Sequence, residues 1–189
     1  MNRPTTRSKA EVSLSIFSLL FSEVVSSSHD TSKDVHLEDR LHEMGVEIGE
    51  RCLALFHLRE RPYRRETNPT SCLQFIANSV WRQLFNHPAE LQATDRPTEF
   101  YLVDRSMILN KYISVSPERA LEGSMTNCSS FAAGIVEGMM RLAGFAKTKV
   151  EAVYTHSGSI QAVDEHMNVT FIVSLDGHHI ASPHISAVG

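Results

Sequence analysis

The chain is short of the residues that give quick answers. Its three cysteines, Cys52, Cys72 and Cys128, lie far apart with no C-x-x-C pair. That odd, scattered set argues against a disulfide framework or a cysteine zinc site and fits a reducing compartment. Positive charge is not in excess either. The formal net charge is -4, which gives no general reason to expect nucleic acid. Long apolar runs are missing as well. Leu14 to Phe21 comes nearest, but Ser15 and Ser18 interrupt it, Glu11 and Glu23 bracket it, and it is too short for a membrane span. Arg3, Arg7 and Lys9 precede it as in a secretion signal. Yet Glu11 breaks that pattern, no small-residue cleavage site follows, and helical spacing continues to Val24 and Val25. An amphipathic core helix is expected, and the Asn168-Val-Thr170 sequon then carries no meaning. Internal repeats and long low-complexity segments are absent.

What is present is ordinary in amount and informative in pattern. Hydrophobic residues make up 42% and charged residues 21% of 189, as in one globular domain with a substantial core. Residues 1 to 10 read as a flexible basic arm, 11 to 176 as a single α+β domain, and 177 to 189 as a C-terminal tail of little signal. Helix one is expected over about 10 to 27, with Leu14, Phe17, Phe21 and Val24 on one stripe and Ile16, Leu19, Leu20 and Val25 widening it. Ser26 to Lys33 reads as a linker. Helix two, about 35 to 60, carries Leu37, Leu41, Met44, Ile48, Cys52 and Leu55 at steps of three and four, until Pro62 stops it. Thr67, Asn68 and Pro69 start helix three, whose inner face is Leu73, Ile76, Ala77, Val80 and Leu84, and Asn86-His87-Pro88 closes it. Residues 89 to 98 read as a polar loop.

The period then changes. Phe100 to Val103 and Lys111 to Val115 read as strands, followed by a helix over 126 to 145, then strands at Lys149 to Thr155 and Met167 to Leu175. The helix at 126 to 145 is the centre of the domain. It is apolar or small on every side, and only Glu137 and Arg141 carry charge, so it should be buried. Gly134 and Gly138, and Gly45 and Gly49 on helix two, mark places where another backbone comes close. The expected fold is an antiparallel four-stranded sheet packed on helices in the order αααββαββ.

No constellation of residues announces an enzyme. Cys128 near a helix start suggests an activated thiol, but no nucleophile signature surrounds it and its spacing places it on the buried stripe. His178, His179 and His184 lack the carboxylates and spacing of a metal set. The two Gly-x-x-x-Gly pairs sit in no phosphate loop. Arg59, Arg61, Arg64 and Arg65 are offset by Glu60 and Glu66 and read as a solvated helix end. Trp81 reads as core or interface edge. No cofactor, metal or catalytic residue is expected. What remains is an apolar surplus on the first two helices, which implies a partner surface. A module holding a hydrophobic small molecule against the small-residue faces of the central helix is the alternative.

Asn127 to Gly138 (Asn-Cys-Ser-Ser-Phe-Ala-Ala-Gly-Ile-Val-Glu-Gly) resembles the signature helix of the TRAPP small subunits, of the subunit 5 type. Supporting stretches occur in the family's order over roughly 11 to 175. They are Glu11 to Glu23, Met44 to Gly49, Arg64 to Thr67, Val80 to Phe85 and Asn110 to Val115. The resemblance implies the same α+β fold and a non-catalytic scaffold subunit of the TRAPP vesicle tether. That complex supports nucleotide exchange on a Ypt/Rab GTPase in ER-to-Golgi transport, from the cytoplasmic side of cis-Golgi and endoplasmic reticulum membranes. It implies a heterodimer with a sibling subunit through the first helices, for which Phe17, Leu20, Phe21, Leu41 and Ile48 are the candidate contacts. Arg3, Arg7 and Lys9 are candidate contacts to the GTPase or an acidic membrane. A sibling branch carries an acylated cysteine where this chain has Arg61, so acylation is not carried over.

Overall fold

The computed structural model describes residues 13–30, 37–59, 67–111, 127–155 and 168–176. In chain order the elements are α1 (Leu14–Asp30), α2 (Leu37–Arg59), α3 (Pro69–Phe75), a π-helical turn (Ile76–Val80), α4 (Trp81–Phe85), β1 (Glu90–Ala93), β2 (Glu99–Asp104), a 3-10 turn (Ile108–Asn110), α5 (Ser130–Ala143), β3 (Lys149–Thr155) and β4 (Asn168–Ser174). Every residue of α5 from Ala132 to Met140 is buried, as its lack of a polar side requires. At its start the Asn127 side chain accepts from the Ser129 N–H at 3.1 Å. At its end Gly144, in the left-handed region with φ 112°, donates its N–H to the Arg141 and Met140 carbonyls.

The two Gly-x-x-x-Gly pairs meet each other. A Cβ on Gly49 of α2 would lie 2.1 Å from the Ile135 carbonyl oxygen, and one on Gly134 of α5 would lie 2.0 Å from that of His42. Backbone therefore rests on backbone where the helices cross, and only glycine leaves room. The same contact fills the small-residue side of α5 that suggested a hydrophobic ligand.

The helix over 69 to 85 begins as its sequence signals. The Asn68 side chain accepts the Thr70 N–H at 2.9 Å, with Pro69 in the first turn, and Asn86 ends the helix in the left-handed region at φ 66°. The π turn between has one consequence for the fold: the Ala77 carbonyl accepts the Ala89 N–H at 3.0 Å and ties the chain to the start of β1. Trp81 faces Phe171 of β4 edge-on at 5.3 Å and donates its ring N–H to buried Asp104 at 2.8 Å. Asp104 also accepts the Ser106 N–H, and His87 Nε2 lies 2.8 Å from it.

The four strands form one antiparallel sheet in the order β1-β2-β4-β3. Leu102 pairs with Phe171, and Val150 with Val173. Leu102, Val169, Phe171 and Val173 are wholly buried, with the helices against them. Among the described residues, β3 has no strand on its outer side. There the Val150 N–H is donated to Glu137 at 3.0 Å, and the Ala152 carbonyl accepts from the Asn127 side chain at 2.8 Å.

The element order is the expected one, but three boundaries are corrected. The polar loop expected at 89 to 98 contains β1, a four-residue edge strand that pairs Leu91 with Leu102 and Ala93 with Phe100. The first hairpin is therefore β1–β2, one strand earlier than Phe100–Val103 with Lys111–Val115. Lys111 stands in a turn after the 3-10 residues, and 112 to 115 lie outside the described residues. The expected linker from Ser26 is helical through Asp30, and buried Ser28 places its hydroxyl 3.9 Å from the Met44 sulfur. Leu84, expected on the inner face of helix three, is exposed, and so is Leu142 at the end of α5. The basic arm, Arg61, Arg64, Arg65, the loop 156 to 166 and the tail with its histidines lie outside the described residues.

Candidate partner-binding surface

Helix α1 is apolar on two sides and uses only one of them within the chain. Phe17 stacks on Phe21 at 5.9 Å between ring centres, and Phe21 tilts against Phe131 of α5 at 5.6 Å. That contact buries Phe21 and half-buries Phe17. Ile16, Leu19 and Leu20 point the other way, and Leu19 and Leu20 are 72% and 65% exposed. Burying side chains of this size is worth about 1.5–3 kcal/mol each. A face holding three of them is a candidate interaction site.

Helix α2 repeats the arrangement. Leu41, Gly45, Gly49, Leu53 and Phe56 are buried, the glycines against α5. Met44, Ile48, Leu55 and Leu58 remain exposed, Leu58 at 75%. Of the five contacts expected from sequence, Leu20 and Ile48 thus lie on the outer surface. Phe17 lies half-buried beneath it, and Phe21 and Leu41 are seated in the chain's own core. Ile16, Leu19, Met44, Leu55 and Leu58 extend the outer surface beyond that set. Helical spacing had placed them on the same helices without saying which side the core would claim.

A buried carboxylate fixes how α2 sits. Glu137 of α5 is 1% exposed. His42 Nε2 of α2 lies 3.1 Å from it, Arg141 pairs with it, Lys149 Nζ of β3 lies at 3.4 Å, and the Val150 N–H completes the set. Burial works to raise its pKa. The His42 contact, the Val150 N–H and the Arg141 charge outweigh burial, so the carboxyl sits below its ordinary value. The sequence shows Glu137 only as one of two charges on an apolar helix, the other being Arg141, and its partner His42 stands 95 positions away.

Cys128 is 1% exposed, and burial, with Glu38 nearby, pushes its thiol up to about 11. That is the opposite of an activated nucleophile. Among the described residues no group of three His, Cys, Asp or Glu side chains is placed to hold a metal, and no helix is long and apolar enough to cross a membrane.

Comparison with known proteins agrees with this architecture. Residues 17–175 match the family model described as transport protein particle (TRAPP) component. The chain is 40% identical over 162 residues to human trafficking protein particle complex subunit 5, covering 84% of this chain and 83% of that protein. It is 38% identical over 148 residues to the subunit 5 of Dictyostelium discoideum, covering 77% of each. Subunit 31 of Saccharomyces cerevisiae is 26% identical over 121 residues, covering 63% of this chain and 38% of that protein. Among solved structures, subunit 3 from Naegleria fowleri, covalently bound to palmitic acid in that crystal, superposes with a TM-score of 0.62 at 16% identity, over 85% of this chain and 95% of that one. The family match over most of the length and the identity to subunit 5 proteins make this chain a member of the TRAPP component family, of the subunit 5 type.

Proposed function

We propose that this chain is a non-catalytic scaffold subunit of a TRAPP vesicle-tethering complex. In this reading sibling subunits cover the outer faces of α1 and α2. The complex supports guanine-nucleotide exchange on a Ypt/Rab GTPase in ER-to-Golgi transport, peripheral on cis-Golgi and endoplasmic reticulum membranes. The observation that carries the reading is the bare apolar surface of Ile16, Leu19, Leu20, Ile48, Leu55 and Leu58 on a chain whose relatives are named as complex subunits. Arg3, Arg7 and Lys9, just ahead of α1, serve in this reading as contacts to the GTPase or to acidic lipid.

The test is affinity purification of the tagged chain from its own cells with mass spectrometry of what comes with it. TRAPP siblings are expected with the wild type and are lost with Leu20→Asp or Ile48→Asp, while the melting temperature of each variant stays near the wild-type value. Recovery of no sibling with the wild type rejects the function. Undiminished recovery with both variants rejects the surface. Deletion of residues 1 to 10 should slow exchange by the purified complex at low salt, and an unchanged rate removes the arm from the scheme.

A further inference from the structure

We draw no further inference here: the strongest candidate, the face of the sheet turned away from the helices, where half-buried Tyr101, Val103 and Val153 surround buried Ile172, carries none because nothing among the described residues shows what covers it.

Discussion

Gly49→Ala tests the crossing of α2 and α5, because helix propensity and packing predict opposite signs. In an exposed helix the change should stabilise by about 1 kcal/mol. Here the new methyl would stand 2.1 Å from the Ile135 carbonyl oxygen, where ordinary contact begins at 3.4 Å. The atoms at fault are backbone, so no side chain can swing aside. The helices must part by about 1.3 Å, and a gap of about 0.5–1 Å already forfeits a quarter to a half of the dispersion attraction across it. Leu41, Leu53 and Phe56 lie on the face that opens. Forcing extra volume into a packed interior costs about 1–3 kcal/mol. Rigid backbone puts this site at the upper end, and subtracting the propensity gain of about 1 kcal/mol leaves a net loss of about 2 kcal/mol. For a chain of this size that is a fall in melting temperature of about 4–8 °C. Thermal unfolding followed by circular dichroism measures it. Ala54→Gly, on the exposed side of the same helix, is the control and should cost only about 1 kcal/mol. If Gly49→Ala melts at or above the wild-type temperature, the reasoning from backbone contact is wrong.

Further outcomes follow from the buried polar groups. Glu137 has a folded-state pKa below its unfolded value, so its contribution is present above about pH 4.5 and lost as pH falls below that. Glu137→Gln, which weakens hydrogen bonds to a charged group, should cost about 2 kcal/mol at neutral pH and flatten the loss of stability on acidification, read from urea midpoints across pH. Equal acid slopes in the two proteins would refute this role. Asp104→Ala strands the Trp81 ring N–H, bonded at 2.8 Å in the native chain. A loss of about 1–3 kcal/mol is expected, and emission from Trp81, the single tryptophan, reports it. Cys128, with its thiol pushed up to about 11, should stay unmodified by iodoacetamide at pH 8 until the chain is denatured. Rapid native labelling would reopen the case for a reactive cysteine.

Helices were legible in the sequence because their apolar residues recur at three and four, and α2 and α5 stand where that spacing puts them. The glycine pairs were legible as close-approach sites, and the structure shows that each serves the other. Strand β1 was not. Glu90–Ala93 is four residues at a sheet edge with only Leu91 half-buried, too short for alternation to stand out from a polar loop. The serine run closing α1 hid a helix end, since serine usually favours turns. Phe21 and Leu20 were indistinguishable as candidates because α1 is apolar on two sides, and periodicity cannot say which side meets the core. The Glu137 network was invisible for a different reason: its parts come from α2, α5 and β3, and only the fold brings them together.

The outer margin of β3 has a consequence for how the protein lives among neighbours. A bare strand offers alternating donors and acceptors to any extended peptide, and sheets left that way grow by accretion. Glu137 and Asn127 occupy the Val150 N–H and the Ala152 carbonyl as plugs. A newcomer could dock there only by evicting two side chains, one of them the anchor between α2 and α5. That margin of the sheet is thereby blocked at Val150 and Ala152, while the outer faces of α1 and α2 stay open, where side-chain shape can discriminate among those that approach.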